Sequence, residues 1–422
     1  AGKPAYYYKG MALCVHAGHN LAKYVRVTGF DPETHTITTT PLRAKTYKKG
    51  TTYCFFNSVK LIDRPGEYAM KRIDGQKVRV FAWPARVEGG QPQDISRSAR
   101  GAGFRLQKSA HIAIRGLVIA RQGGDGAHGI YMKDARDITI QDCEVTLVRG
   151  SRGIFAYGCD GIRVEDCHVH HLPGHTFGVF MRNSKNCAVV RTRIHKPTAT
   201  ALDFYGVQGG LVSQCEVSGH KGKHANGLTF YLGNRDLVIE RNYVHHGNIN
   251  LTIKQAANVI IRNNIFDGNN RQMNLGMWYA MGHEKGWKGP SLQNVKILHN
   301  TFVRGHPKHN WRGGLFSNMK QQPRGLVVKN NILDGVSGKL AGTYTHNIYT
   351  RKVGKAFMGE GCKVVTDLTK LFVDPDKGDY RLKQGSPAIG AGVDVDVTDD
   401  FEGTPREKDK PPAVGAYAGT AQ

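Results

Sequence analysis

The sequence lacks a long apolar run, a paired cysteine motif and helical periodicity. No stretch reaches the roughly eighteen apolar residues that a bilayer-spanning helix needs. None of the eight cysteines forms a CxxC pair, which argues against a zinc ribbon or a thioredoxin-like site. Cys14 and Cys54 are left as candidates for a disulfide. The apolar residues recur in short alternating runs, which excludes a mainly helical fold.

Acidic residues are also scarce. The chain of 422 residues has 34 acidic residues against 59 lysines and arginines, for a formal net charge of +25. This balance predicts a polyanionic partner, which could be nucleic acid, an anionic membrane or an acidic polysaccharide. No helix-turn-helix, zinc-finger or RNP-like motif supports nucleic acid, so that partner ranks last. With 40% hydrophobic residues, the chain can bury a large core in one elongated domain or two compact ones.

An internal repeat is the strongest feature of the sequence. Segments such as "ITIQDCEV", "LVIERNYV" and "VIIRNNIF" align into one column at spacings of 24, 25, 23, 27, 22, 36 and 31 residues. The column contains Cys143, Cys167, Thr192, Cys215, Asn242, Asn264, Asn300 and Asn331. Units of this length cannot bury their own apolar face and must stack on their neighbours. We therefore predict an all-β fold, a parallel β-helix in which this column points inward and stacks along the axis.

The domain organisation follows from the extent of the repeat. We predict an N-terminal β-rich section at residues 1–100, the β-helix at 101–345, and a C-terminal tail at 346–422 that packs on the last coils. A solenoid needs capped ends, which gives both flanking sections a structural role.

The repeat at residues 104–345 resembles the right-handed, pectate-lyase-like β-helix proteins of secreted carbohydrate-active enzymes. The segment "LIDRPGEYAMKRIDGQKVRVFAWPA" and the tail "LFVDPDKGDYRLKQGSPAIGAG" are similar to segments that flank the coils in such families. The resemblance implies a right-handed helix, a secreted or periplasmic location, and an acidic polysaccharide as partner. We expect a monomer that binds neither nucleic acid nor membrane.

Strand alternation predicts which side chains leave the core. In the strand before each first corner, one outward column contains Tyr131, Phe155, Phe180, Asp203, Thr229 and Thr252. Its neighbour contains Lys133, Tyr157, Arg182, Tyr205, Tyr231 and Lys254. Tyr231 and Lys254 should therefore lie one above the other, about 4.8 Å apart, on an exposed face.

This basic, aromatic face suits β-elimination at a uronic acid. That reaction needs a neutralised carboxylate, a base for the C5 proton and an acid for the departing O4. We assign Lys254 and Tyr231 to proton transfer, because neighbouring cations lower the pKa of a lysine. The predicted substrate-binding residues are Lys133, His175, Arg182, Asp203, Tyr205, His224, Arg271 and Trp278.

The same two coils also resemble the core of the chondroitinase B and alginate lyase family. That family carries a lysine base on the first coil and an arginine on the second, where this chain has Tyr231 and Lys254. Because these two residues differ, we carry over only the location of the family's site, and neither its residue roles nor its acidic calcium site. Ca²⁺ stays open as a cofactor. The motifs "HVHH" at His168 and "HHGN" at His245 look like metal sites, but alternation should split their side chains between two faces. We predict no metal ligands.

Three other functions stay open. A glycoside hydrolase needs two carboxylates, and Asp203 is the single acid in the outward columns, with Asp125, Asp134 and Glu284 as candidate partners. A uronate C5-epimerase would share the first proton abstraction. A non-catalytic solenoid that binds polyanions would need only the charge and the aromatic rings.

Overall fold

The structure is a computed structural model that describes residues 3–18, 21–41, 50–64, 67–73, 78–83, 101–124, 126–222, 225–277, 291–305, 314–317 and 321–419. Within these ranges, the side chains of 16–18, 21–22, 78 and 269–277 are outside the description. The chain divides into two compact units, Ala1–Arg97 and Ser98–Gln422. No helix in the described ranges has the length and apolar character needed to cross a bilayer.

Two antiparallel sheets lie in the described part of the first unit. The larger has the order β3-β2-β1-β4 and is formed by β1 (Ala12–Gly18), β2 (Leu21–Asp31), β3 (Thr36–Thr39) and β4 (Thr52–Phe56). A 3₁₀ helix (Val59–Leu61) precedes a hairpin of β5 (Tyr68–Arg72) and β6 (Val78–Ala82). Cys14 lies directly opposite Cys54 across β1 and β4, and both are thiols rather than a disulfide.

The second unit is a parallel β-helix, which confirms the predicted fold class. Its strands are β7 (Ala102–Gln107), β8 (Ala110–Arg115), β9 (Val118–Ala120), β10 (His128–Lys133), β11 (Arg136–Gln141), β12 (Glu144–Thr146), β13 (Arg152–Tyr157), β14 (Asp160–Glu165), β15 (His168–Leu172), β16 (Phe177–Arg182), β17 (Lys185–Val190), β18 (Arg193–Pro197), β19 (Leu202–Tyr205), β20 (Gln208–Ser213), β21 (Glu216–Ser218), β22 (Asn226–Tyr231), β23 (Asn234–Glu240), β24 (Tyr243–His245), β25 (Ile249–Ile253), β26 (Ala256–Arg262), β27 (Ile265–Met277), β28 (Leu292–Leu298), β29 (Thr301–Gly305), β30 (Leu315–Ser317), β31 (Val327–Lys329), β32 (Ile332–Leu333), β33 (Val336–Gly338), β34 (Thr343–Thr345), β35 (Ile348–Tyr349) and β36 (Lys363–Val364).

Parallel pairing places every third strand in the same sheet. The first sheet begins β7-β10-β13-β16, the second β8-β11-β14-β17 and the third β9-β12-β15-β18. Strand β27 belongs to two sheets, since Ile265–Asp267 pairs in the third and Met273–Met277 in the first. Each chain turn therefore adds one strand to each of three faces.

Inward-facing residues of the first sheet form the core as alternation predicts. The side chains at two positions of each strand are completely buried: Ile130, Ile154, Val179, Leu202, Leu228 and Leu251 at one, and Met132, Ala156, Met181, Phe204, Phe230 and Ile253 at the other. A period-2 apolar pattern is thus enough to fix the orientation of these strands.

The predicted column of cysteine and asparagine is a stacked inward ladder. The Oδ1 atom of Asn264 accepts hydrogen bonds from the backbone N–H and the side-chain amide of Asn242, at 3.0 and 2.9 Å. Asn300 and Asn331 repeat this arrangement, and Asn347 extends it one coil further. Cys143, Cys167 and Cys215 are buried in the same column. Each asparagine thereby satisfies buried backbone groups at a corner where no strand partner is available.

The C-terminal tail packs on the third sheet. Ile265, Val303, Ile332 and Ile348 of the coils form a second apolar cluster with tail residues that include Leu371, Phe372 and Val414. The tail contains 3₁₀ helices at Lys355–Phe357, Leu368–Lys370 and Pro375–Lys377 and a hairpin of β37 (Phe372–Asp374) and β38 (Asp379–Leu382). The buried Arg406 guanidinium donates to the side-chain oxygen of Asn263 at 3.0 Å, which ties the tail to a coil corner.

Candidate active site on the first sheet

The two outward columns of the first sheet are in register along the axis. Phe155 pairs with Phe180, which pairs with Asp203, and Asp203 pairs with Thr229. The second column runs Lys133, Tyr157, Arg182, Tyr205 and Tyr231. The prediction that both columns are exposed is wrong for the first one. From Phe155 to Thr252 its side chains are buried, whereas the second column is half-buried.

Lys254 lies next to Tyr231, as the sequence predicts. The backbone N–H of Lys254 donates to the carbonyl of Phe230 at 2.8 Å, which sets the two coils in register. The Lys254 ammonium is 4.4 Å from the centre of the Tyr231 ring. The Tyr231 hydroxyl is 3.4 Å from the side-chain amide of Asn226. A cationic amine and a phenol thus share one half-buried position.

Burial shifts the pKa values of both groups. Desolvation lowers the pKa of Lys254, and the Asp203 carboxylate partly opposes that change. Desolvation and Asp203 raise the pKa of Tyr231 well above its usual range. Relative to the free side chains, both shifts are toward the neutral form, in which an amine accepts a proton and a phenol donates one.

Asp203 is the acid at the centre of this site. Complete desolvation raises its pKa to about 7, although the charges of Arg152, Arg182 and Lys254 act in the opposite direction. Its Oδ1 atom is buried and has no hydrogen-bond partner among the residues that the structure describes. A buried oxygen without a hydrogen bond costs free energy.

Arg152 belongs to the site but was absent from the predicted set. Its guanidinium carbon lies 4.3 Å from the centre of the Phe155 ring and 4.7 Å from that of Phe180. Strict alternation would point Arg152 inward, since Ile154 is in the core. Gly153 interrupts the alternation. A side chain at Gly153 would meet Val169 in the interior, so Gly153 and Ile154 both face inward and Arg152 faces outward.

A recurring glycine is the sequence signal for this change of direction. Gly103, Gly129, Gly153, Gly178 and Gly227 occupy the same place on β7, β10, β13, β16 and β22, each against an interior side chain. The residue before the glycine then lies on the outer face, where His128, Arg152 and Phe177 are in register. His128 stacks on Tyr131 at 5.2 Å, and burial lowers the pKa of His128 to about 4. These side chains cover the first outward column.

The other predicted binding residues have different positions. Arg182 joins the site, with its guanidinium carbon 4.9 Å from the centre of the Tyr205 ring. Lys133 is in the same column as Lys254 but five coils away, about 24 Å at the spacing of parallel strands. His175 is exposed beside Phe177, at the opposite end of the strand from Arg182. His224 and Trp278 lie outside the described residues, as does the side chain of Arg271, whose backbone is in β27.

The histidine motifs lie on the third sheet, and the prediction that alternation splits them is wrong. His171 and His246 have positive φ values of 48° and 52°, so each turns toward the preceding histidine. The Nδ1 atoms of His170 and His171 are 2.6 Å apart, and those of His245 and His246 are 2.5 Å apart. A left-handed residue at a strand end thus places neighbouring side chains on one side. Within the described part of the chain, no group of three or more histidine, cysteine or acidic residues is arranged to hold a metal ion.

Comparison with solved structures finds several similar proteins, all of low sequence identity to this chain. One is a pectate lyase, Pel9A, with a TM-score of 0.43 and 15% identity over 72% of this chain and 77% of that chain. Another is described as a glycoside hydrolase, with a TM-score of 0.47 and 13% identity over 86% of this chain and 69% of that one. A third is the periplasmic alginate epimerase AlgG, with a TM-score of 0.39 and 12% identity over 60% of this chain and 50% of that one.

Comparison at the level of sequence identifies the family. No protein with a curated function matches significantly. The family model described as "right handed beta helix region" matches residues 128–302 and 177–352, which together cover more than half of the chain. The repeat, the three parallel sheets and this match agree, and the chain therefore belongs to the right-handed β-helix family.

Proposed function

We propose that this protein is a polysaccharide lyase that cleaves an acidic, uronate-containing polysaccharide by β-elimination. The observation that carries the proposal is the contact between Lys254 and Tyr231 on adjacent coils, where burial lowers the pKa of the amine and raises that of the phenol. The formal charge of +25 supports an anionic substrate.

The proposed steps use groups of this site alone. The neutral Lys254 amine removes the C5 proton of a uronate, and the electron pair moves into the C4–C5 bond as the bond from C4 to the glycosidic oxygen breaks. The Tyr231 hydroxyl gives its proton to the departing O4. Arg152 and Arg182 offset the negative charge that develops on the carboxylate as C5 loses its proton. Proton return from Tyr231 or water to C5 instead would make the reaction an epimerisation.

Glycoside hydrolysis is the second candidate, because Asp203 has a pKa of about 7 and so can serve as a protonated acid near neutral pH. Asp203 lacks a second carboxyl group nearby among the described candidates. Asp134 follows the end of β10, three coils from Asp203, or about 14 Å along the axis. Hydrolases need their two carboxyl groups within about 9.5 Å. Asp125 and Glu284 lie outside the described residues.

Product analysis on a panel of anionic polysaccharides tests this proposal. The parent protein should release fragments with a conjugated C4–C5 double bond, detected by ultraviolet absorbance. New reducing ends without that absorbance would establish hydrolysis, and altered uronate composition without cleavage would establish epimerisation. If the protein binds polymers of the panel but changes none of them chemically, it is a non-catalytic solenoid and the proposal is wrong.

A further inference from the structure

Two cysteine thiols face each other at the edge of the larger sheet of the first unit. Cys14 in β1 lies directly opposite Cys54 in β4, and β4 is the edge strand of the order β3-β2-β1-β4. Residues directly opposite each other on antiparallel strands project from the same face, with Cα atoms about 4.5 to 5.5 Å apart. Disulfides join residues whose Cα atoms are about 4.4 to 6.8 Å apart. The strand register therefore brings the two cysteines within the range of a disulfide.

The two thiols differ in their exposure to solvent. Cys54 is exposed, whereas Cys14 is buried. Desolvation, followed by the neighbouring Cys54, raises the pKa of the Cys14 thiol, and a hydrogen bond with Tyr24 opposes that change. Because the thiolate is the nucleophile in exchange with a disulfide, a dissolved reagent meets Cys54 first. Cys14 is held beside it as the second sulfur.

The other six cysteines do not combine a facing thiol with an exposed sulfur. Cys362 is half-buried in the tail, where its sulfur lies 3.8 Å from the Tyr344 carbonyl oxygen. The remaining five are almost completely buried in the coils: Cys143, Cys159, Cys167, Cys187 and Cys215. A dissolved oxidant should therefore react selectively at the edge of the first unit.

We propose that Cys14 and Cys54 form an oxidisable pair, which exchange with a small-molecule disulfide converts into a cross-strand disulfide. The Cys54 thiolate attacks one sulfur of the oxidant, which breaks its sulfur–sulfur bond, releases one thiolate and leaves a mixed disulfide on Cys54. The Cys14 thiolate then attacks the Cys54 sulfur and releases the second thiolate. The protein gives up two electrons and two protons, and the oxidant becomes two thiols. The pair lies in the first unit, so the inference does not rest on the proposed function.

The disulfide would hold the edge strand of the sheet. In the described sheet, β4 has β1 as its one neighbouring strand, so strand separation there breaks a single ladder of hydrogen bonds. A covalent link between β1 and β4 also closes the chain segment that contains β2 and β3, which reduces the freedom of the unfolded chain. Oxidation should therefore suppress the opening of β4 and leave the coils of the second unit unchanged.

Oxidation of the full chain with oxidised glutathione tests the proposal. The reduced protein is incubated with this reagent under native conditions, its thiols are counted after denaturation, and its peptides are mapped by mass spectrometry. The thiol count should fall from eight by two, and one linked peptide pair should contain Cys14 and Cys54. Eight remaining thiols, a glutathione adduct that persists on Cys54, or a link between other cysteines would overturn the proposal.

A matched pair of variants assigns the reaction to these two sulfurs. Cys54→Ser changes an exposed position and should abolish the link, whereas Cys362→Ser should still form it. A loss of two thiols in Cys54→Ser would contradict the assignment.

Hydrogen exchange on the full chain tests the effect on the edge strand. Amides of Thr52–Phe56 should exchange about tenfold more slowly in the oxidised parent than in the reduced one, and those of Leu292–Leu298 in the coils should not change. Equal exchange of Thr52–Phe56 in the two forms would show that the link does not hold β4.

Discussion

The ammonium group of Lys254 lies 4.4 Å from the centre of the Tyr231 ring, so two side chains from adjacent coils form one contact pair. The pairing arises because a parallel β-helix stacks equivalent residues about 4.8 Å apart. An amine and a phenol placed in this way sit within reach of one sugar residue, which is what proton removal at C5 and proton delivery to O4 require.

Replacing Lys254 with Ala should lower turnover by about a hundredfold or more, because it removes a general base. Tyr231→Phe keeps the ring but removes the hydroxyl, and should also lower kcat. The exposed Lys296 on the second sheet serves as a control, since Lys296→Ala changes charge equally without touching the site. Turnover is measured by absorbance of the unsaturated product. Near-parent turnover for both site variants would show that the pair is only a surface contact.

Arg152→Gln should lower kcat more than it raises KM, because the proposed role of Arg152 is to offset the charge that develops as C5 loses its proton. The same substitution at Arg163, which is on the second sheet and pairs with Glu165, should change neither constant. Steady-state kinetics on the polymer that the parent cleaves would separate the two effects. An unchanged kcat in Arg152→Gln would restrict the role of Arg152 to packing against Phe155 and Phe180.

Asp203 should make stability depend on pH. Its pKa is about 7 in the folded protein and about 3.9 in an unfolded chain, so the folded state binds more protons between these values. The free energy of unfolding should therefore fall as pH rises from about 4 to about 7 and level off above that, by an amount on the order of a few kcal/mol. Denaturant unfolding of the parent and of Asp203→Asn measures this free energy. The difference in unfolding free energy between the two proteins should change between the two pKa values of Asp203. A difference that stays constant with pH would contradict the raised pKa.

Asn264→Ala should destabilise the coils by about 2 kcal/mol or more, because it leaves buried partners without hydrogen bonds. Asn248→Ala provides the comparison, since Asn248 is exposed and bonds to the Gly222 carbonyl at 2.9 Å. Its effect should be within about 0.5 kcal/mol, as for most surface substitutions. Chemical denaturation of both variants gives the two values. Similar losses would mean that the inward ladder contributes no more than an exposed amide.

Binding to the true polymer should weaken as salt rises, because a basic surface releases counterions when it binds a polyanion. Affinity measured from low to physiological ionic strength should fall steadily, while that for a neutral glycan should stay flat. Salt-insensitive binding of a neutral glycan that the protein also cleaves would favour the hydrolase.

Local periodicity determined much of this protein from sequence alone. The near-constant repeat and the alternation of apolar residues predicted the β-helix, the inward columns, the asparagine ladder and the contact of Tyr231 with Lys254. These features repeat from coil to coil, so a side chain's place follows from its position in the repeat. The asparagine ladder is the clearest case. Asn347 lies only 16 residues after Asn331, outside the spacing of 22 to 36 residues in the sequence repeat.

The tertiary structure decided the features that depart from the sequence repeat. Gly153 and Ile154 both face inward, which leaves Arg152 on the outer face. Left-handed residues at His171 and His246 bring neighbouring histidines together. The pKa of Asp203 depends on complete burial, to which side chains of neighbouring coils contribute. The Arg241 side chain donates to the Phe401 carbonyl at 3.1 Å, a contact between segments 160 residues apart that share no local pattern.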